Sequence, residues 1–439
     1  MNSFSLKEKM KFSLLLLLLS VSFVAFNQST EKCASHKAIL YQESLTPGFK
    51  ELVNTEFEIA KSAMRPKAND LYTIPVVVHI VYNTANQNIA DSVILNQITV
   101  LNNDYQRMNE DTVNMRADFD IVKGAPNIQF VLAQIDPAGN PTSGITRTAT
   151  SSATFGSINF LLGDFSDLEK VKSTADGGSD PWDQSRYLNI WVCNMEVFNT
   201  PALLGYATPP TGLPNWPSGS NLGLSDGVVI QYQAFGANNP NTLDLGQGAL
   251  NVKGRTLSHE VGHYLGLRHI WGDGNCAEED GIDDTPNADA QSNQDCDATK
   301  NSCVDNIYGV DLPDMIENFM DYSDETCQNS FTQGQVDLMR GVLENQRIDL
   351  IQNNPASLEE MQFEASIYPN PTSSELKVKV KTGDVDELLL LDATGKHVYS
   401  HPIKNATTLI SLIDLEGGIY FIHFLKNGKR QSVQKVMKL

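Results

Sequence analysis

Two hydrophobic periods alternate along the first 350 positions and then give way to one. Ile74 to Val81 is a nearly unbroken apolar run and predicts a buried strand over 74–82. Val93, Ile94, Ile98, Leu101 and Tyr105 recur at helical spacing and predict a helix over 91–107. Ile128 to Ile135 alternates as a strand, and Tyr187–Val192 and Gly227–Ile230 read as two more. Helical spacing returns over 251–266 and over 332–351. Residues 201–226, rich in Pro and Gly, predict loop. Strands alternating with helices over 69–351 predict an α/β or α+β domain. From Ser366 the chain reads as all-β, with short runs Leu376–Val380, Leu388–Leu391, His397–Tyr399, Ile419–Leu425 and Ser432–Met437. Thr394-Gly395 and Asn427-Gly428 predict turns between them, which suits a small β-sandwich over 366–439. Residues 352–365 read as the linker.

The first 28 residues predict a secretory signal peptide. Lys7, Lys9 and Lys11 precede an apolar stretch from Phe12 to Phe26 that is too short for a membrane span. No other apolar run is long enough to span, so a stable membrane anchor is not expected. Residues 29–68 are polar, end in the basic stretch Lys61–Lys67, and read as a pro-segment.

Composition narrows the function. Of the 439 residues, 41% are hydrophobic, which supports a sizeable core. The formal charge of −21 argues against nucleic acid as a partner, because phosphate needs cations opposite it. The acidity is local. Sixteen Asp and Glu lie between Asp273 and Glu325 with Lys300 as the only cation, whereas residues 366–439 carry ten Lys and Arg against seven acids. Oxygen-rich, irregular chain of this kind suits a hard cation such as calcium. Cys276, Cys296, Cys303 and Cys327 fall in the same region and allow three pairings. A second zinc site is the competing reading of these four, but they lack a Cys-x-x-Cys pair.

The chemistry concentrates in His259-Glu260-Val261-Gly262-His263-Tyr264-Leu265-Gly266-Leu267-Arg268-His269. On a helix, His259 and His263 share one face, where two imidazoles can hold one zinc ion. Gly266 can end the helix in the left-handed conformation and let His269 return as a third ligand. Three histidines leave a position open for water, the mark of a catalytic zinc. Glu260 stands beside that position as the candidate general base.

This motif resembles the metzincin clan of zinc endopeptidases. Asn318-Phe319-Met320-Asp321-Tyr322 is similar to its Met-turn, which implies Met320 as the floor of the site and Tyr322 as an oxyanion donor. Gly144–Arg147, Tyr187–Val192, Gly205–Ala207, Asp226–Ile230 and Asp284–Pro286 extend the resemblance to the pappalysin (ulilysin-like) family over roughly residues 74–350. The resemblance implies an α+β zincin domain with a mixed twisted sheet and an active-site helix. It implies peptide-bond hydrolysis of protein or peptide substrates, and disulfides Cys276–Cys303 and Cys296–Cys327. It also implies a calcium site at Asp280, the Ile282 carbonyl, Asp284 and Thr285. Family members favour a basic residue after the scissile bond through an acid just before the last cysteine; Thr326 stands there in this chain. Cys33 is the candidate thiol for zymogen latency, and Cys193 reads as a buried thiol.

Ser366–Pro371, Leu391–Lys396, Leu415–Tyr420 and Gln434–Leu439 closely resemble the sorting domain of type IX secretion cargo. That implies export through the periplasm by outer-membrane secretion machinery to the cell surface or medium. The alternative function is a non-catalytic secreted adhesin or binding protein on a protease-like fold.

Overall fold

The computed structural model describes residues 30–63, 70–211, 224–245, 248–352, 364–382, 385–392, 396–403, 407–426 and 429–439. The expected signal peptide and the turns Thr394-Gly395 and Asn427-Gly428 lie outside them. The chain forms two units that divide between Ala356 and Ser357.

The first unit is organised by a seven-stranded sheet. Its strands are β1 (Glu31–Cys33), β2 (Tyr72–Tyr82), β3 (Ile128–Leu132), β4 (Ile145–Ala149), β5 (Leu188–Cys193), β6 (Leu203–Ala207) and β7 (Val228–Gln231). The order is β1-β6-β7-β5-β2-β3, and β4 pairs with the far half of β2. The pairs among β2, β3, β4, β5 and β7 are parallel, whereas β6 runs antiparallel to β7. β2, β5 and β7 are apolar at almost every position because both faces of the sheet are covered. His79 interrupts β2 but is satisfied there by Thr146 Oγ1 at 2.8 Å and Asn189 Oδ1 at 3.0 Å.

The helices are α1 (Ser35–Leu45), α2 (Phe49–Ser62), α3 (Asp91–Tyr105), α4 (Arg255–Tyr264), α5 (Gln333–Glu344) and α6 (Ile348–Gln352). One core cluster joins the sheet to α3, α4 and α5 through Ile94, Leu101, Val261, Met320, Met339 and Val342. Among the described residues, no helix is long and apolar enough to cross a membrane.

Two sequence expectations need correction. The Pro- and Gly-rich stretch 201–226 is not loop throughout: it contains β6, every residue of which is buried. Only five residues long, β6 takes its stability from pairing on both sides rather than from pattern. The helix expected over 332–351 breaks at Asn345. The break delivers Arg347 inward, where it donates to Tyr264 O and to both oxygens of the buried Asp226, at 2.8–2.9 Å. Residues 30–63 hold two helices: α1 buries Ser35, Ala38 and Gln42, and α2 turns Phe49, Phe57 and Ala60 inward.

The second unit is a small β-sandwich. Strands β8 (Glu364–Tyr368), β9 (Glu375–Thr382) and β12 (Thr407–Ser411) form one antiparallel sheet; β10 (Glu387–Asp392), β11 (His397–Pro402), β13 (Gly418–Lys426) and β14 (Lys429–Lys438) form the other. Leu376, Val378 and Ile410 from the first sheet share a core with Leu388, Leu390, Ile422, Phe424 and Val436 from the second.

Candidate metal centre

The helix α4 is short, wholly buried and held at both ends. Its N-terminus points at Glu325. One Glu325 oxygen accepts from Lys253 N at 2.6 Å and Arg255 N at 3.1 Å; the other accepts from Thr256 N at 2.9 Å and Thr256 Oγ1 at 2.8 Å. A carboxylate there satisfies orphan N–H groups and matches the helix dipole. At the other end Gly266 has φ +94°, Gly266 N donates to His263 O and Leu267 N to Gly262 O, each at 2.9 Å. That pair of bonds is a Schellman turn, and it reverses the chain so that His269 comes back to the helix.

The three histidines converge. Their Nε2 atoms stand 3.1–3.2 Å apart. Each Nδ1 meets an outward acceptor: Phe319 O at 2.7 Å for His259, Leu267 O at 2.8 Å for His263 and Asp273 Oδ1 at 2.6 Å for His269. These acceptors place the ring protons on Nδ1, so three lone pairs face one another. Burial, together with the neighbouring histidines, pushes the His259 pKa well down and that of His263 to about 3. Protonation of His259 or His263 therefore does not supply the positive charge that converging lone pairs call for. A metal cation would, and an all-nitrogen set with a nearby sulfur suits zinc.

That sulfur is Cys33. Its Sγ lies with the three Nε2 atoms in one buried cluster, all within 4.8 Å of one another. β1 brings it there by pairing parallel with β6, Glu31 opposite Leu203 and Cys33 opposite Gly205. The Cys33 Sγ stands 3.3 Å from Glu260 Oε2, and burial followed by the Glu260 charge pushes its thiol pKa well up. Ser35 Oγ donates to the same Glu260 oxygen at 2.9 Å and accepts from Ala207 N at 2.9 Å. Glu260 Oε1 is buried without a hydrogen-bond partner. Burial raises the Glu260 pKa to about 8, against the Cys33 and Ser35 hydrogen bonds that lower it. Gly205 has to be glycine here: a Cβ would come 2.8 Å from Glu260 Cγ.

Met320 is fully buried beneath the helix, and a Cβ on Gly262 would sit 2.4 Å from its Sδ. The turn that carries it is closed by Asp321 N donating to Asn318 O at 3.1 Å. Tyr322 packs beside His259 and His269, and its hydroxyl donates to the Cys33 carbonyl at 2.9 Å. Lys32 is buried next to it and donates to Ser323 O at 2.7 Å. Burial lowers the Lys32 pKa, while Glu325, Asp321 and Asp324 pull the other way.

Disulfides join Cys276 to Cys303 and Cys296 to Cys327, with Cα atoms 5.6 and 6.0 Å apart. Cys33 and Cys193 are free. Asp280, Asp284 and Thr285 are all buried. Asp280 Oδ1 accepts from Ile282 N at 2.8 Å and Asp284 Oδ2 from Gly334 N at 2.8 Å, leaving Asp280 Oδ2 and Asp284 Oδ1 without partners. A cavity of about 180 Å³ opens beside Glu279, Asp280, Ile282, Asp283, Thr285 and Asp305.

Sequence reasoning missed four residues at this centre: Lys32, Ser35, His36 and Asp273. His36 Nδ1 lies 2.7 Å from Asp273 Oδ2, so one carboxylate serves both His36 and His269. Asp273 sits four residues after His269, a spacing that could have drawn notice. The other three act from more than 200 residues away and leave no local signal.

Comparison with known proteins places this geometry. Residues 172–344 match the peptidase family of pregnancy-associated plasma protein-A, and residues 366–438 match the secretion system C-terminal sorting domain. An extracellular metalloprotease of Arthroderma benhamiae is 32% identical over 228 residues, 50% of this chain and 66% of that protein. Mature mirolysin of Tannerella forsythia, solved with a cleaved peptide, is 41% identical with a TM-score of 0.54, covering 65% of this chain and 97% of its own. A promirolysin variant from the same organism is 39% identical with a TM-score of 0.59, covering 73% of this chain and 97% of its own.

Proposed function

We propose, from the premise that this chain belongs to the pappalysin family of secreted metalloproteases, that it hydrolyses peptide bonds with Glu260 as general base at a zinc ion held by His259, His263 and His269. The observation that carries this is the convergence of three buried Nε2 atoms next to Glu260. Zinc held there would supply Lewis acidity and bring the pKa of a water toward about 7. Glu260 takes a proton on Oε1, the oxygen that no protein group engages, and returns it to the leaving amine nitrogen. Tyr322, once its hydroxyl is released from the Cys33 carbonyl, donates to the substrate oxygen that becomes negatively charged.

Residues 29–68 act as a pro-segment in this reading, and Cys33 keeps the zymogen silent by occupying the fourth position. The larger share of this chain that promirolysin covers supports it. Removal of β1 frees the edge of β6 for an extended substrate. A substrate running antiparallel to β6 places the residue after its scissile bond where Lys32 now lies, among Asp324 and Glu325. We read this as a preference for a basic residue there, despite Thr326. Peptides with Arg or Lys at that position should show kcat/KM at least about tenfold above a Leu peptide, roughly one hydrogen-bonded charge. Equal rates would refute it.

The unpartnered oxygens of Asp280 and Asp284, with the Ile282 carbonyl and Thr285, support a calcium site. Burial pushes Asp280 up to about 8 from its ordinary 3.8. Without a cation, the folded chain holds the proton that the unfolded chain loses. Stability therefore falls as pH rises from about 4 to about 8. Calcium should flatten that fall; a melting curve indifferent to a calcium-selective chelator would count against the site. The sandwich over 366–439 engages outer-membrane secretion machinery in this reading. For the activity itself, the chain freed of residues 29–68 should hold one zinc and digest a protein substrate until chelated. Zinc-loaded protein without proteolysis would sink the enzyme reading.

A further inference from the structure

The three histidine rings are not held alike. His259 and His263 donate Nδ1 to backbone carbonyls, while His269 donates to the Asp273 carboxylate at 2.6 Å. His269 also lies outside α4, on chain that no regular hydrogen-bond ladder supports. Its surroundings compensate. Trp271 stacks flat on the ring, with centroids 4.3 Å apart and planes 6° apart. Asp273 itself adopts φ +59° after Gly272 at φ +58°, a left-handed pair uncommon for a non-glycine. The turn is tightly packed: a Cβ on Gly272 would come 2.7 Å from Glu279 N. Strain of this kind persists where surrounding structure fixes a group for use.

We propose that Asp273 is the positioning residue of the metal centre. Its Oδ1 fixes the tautomer and plane of His269, and its Oδ2, bonded to His36 in the full-length chain, makes the same carboxylate an anchor for the N-terminal segment. The proposal rests on the zinc reading above. An imidazole that offers Nε2 to a metal must keep its proton on Nδ1, and a carboxylate there both holds that proton and raises the basicity of the ligand. The other two histidines gain rigidity from α4 and the turn at Phe319; His269 gains it from Asp273 and Trp271. His36 approaches the oxygen that His269 leaves free, so the segment can leave without disturbing the ligand.

The test uses full-length chain carrying Cys33→Ala, so that no thiol competes at the metal. Zinc affinity is measured by competition with a chromophoric chelator, and the cobalt-substituted protein supplies an absorption spectrum. Asp273→Gly removes the carboxylate while tolerating the positive φ; Asp273→Asn tolerates it too and keeps an acceptor. The glycine variant should bind zinc about 10–100-fold more weakly and shift the cobalt bands, with the asparagine variant restoring most of the affinity. His36→Ala should stay within about threefold of the parent, because it touches only the oxygen that His269 does not use. Should the glycine variant not fold, Asp273→Ala decides, since it also removes the acceptor: a shifted cobalt spectrum and weakened zinc binding support the proposal, and unchanged ones overturn it. Unchanged zinc affinity and spectrum in Asp273→Gly overturn it as well, as does a His36→Ala loss equal to that of Asp273→Gly. A parent chain that binds no zinc would instead sink the metal reading on which it rests.

Discussion

Helix α4 and the N-terminal segment meet at the same few atoms, and they are built on opposite terms. Everything that holds the histidines belongs to the body of the domain: the Glu325 cap, the Met320 floor and the Arg347–Asp226 pair are buried, and the Schellman turn at Gly266 is half-buried. What covers them is, in the reading proposed above, detachable. β1 is three residues long, and the contacts it makes together with the first turn of α1 are individually modest: the Cys33 thiol at the histidines and Lys32 on Ser323 from the strand, Ser35 on Glu260 and His36 on Asp273 from the helix. The difference teaches where catalysis and its control reside. The reactive groups sit in the body of the domain, and in the reading proposed above inhibition is spread over side chains of β1 and the first turn of α1, which leave together.

Glu260→Ala tests the permanent side most severely. It should keep its zinc and lose about 10²–10⁴-fold in kcat, the range for a general acid–base group. Retained activity with zinc in place would remove Glu260 from its role. Tyr322→Phe should cost about 10²-fold in kcat with little change in KM, as expected of a donor used only in the transition state. A loss confined to KM would make Tyr322 a binding residue. In the full-length zymogen the same variant also frees the Cys33 carbonyl, so it should weaken the cover as it weakens catalysis.

Cys33→Ala tests the detachable side. A hydrogen bond to a charged group is worth about 1.5–3 kcal/mol, so uncleaved chain should show residual activity raised about 10–100-fold. Ser35 and His36 remain in that variant, and silence should be incomplete rather than lost. Full activity in uncleaved Cys33→Ala would show that the thiol alone carries latency; no change would show that it carries none.

Legibility in the sequence followed the same division. The three converging histidines and Glu260 fall within eleven residues, so helical spacing and one glycine turn were enough to assemble them. The strands β2, β5 and β7 were readable because two covered faces impose continuous apolar runs. β6 was not, since a five-residue strand flanked by Pro and Gly is defined by the neighbours it pairs with. Asp273 disappeared among sixteen acidic residues whose common property is charge, while its role comes from one oxygen at one distance. Ser35 and His36 were invisible for a different reason: their partners, Glu260 and Asp273, lie more than 220 residues along the chain. In the sandwich, β12 escaped notice because Thr407-Thr408-Leu409-Ile410-Ser411 buries only alternate residues over a short span.

Glu325 belongs to both sides, and its removal sharpens the comparison with the smallest expected effect. It caps α4 permanently, taking three backbone N–H groups, and it is the largest of the carboxylate influences on the buried Lys32 of the detachable strand. Glu325→Ala should destabilise the mature enzyme by about 1–2 kcal/mol, the range for a lost helix cap. The full-length chain should lose more, because Lys32 is left buried with weaker compensation from Asp321 and Asp324. Thermal melts of both forms, with and without the substitution, give the two differences directly. Equal losses would mean that Glu325 serves the helix alone and that Lys32 is held by the Ser323 carbonyl. A greater loss in the full-length chain would make this carboxylate the point at which the permanent and the removable halves of the centre are energetically coupled.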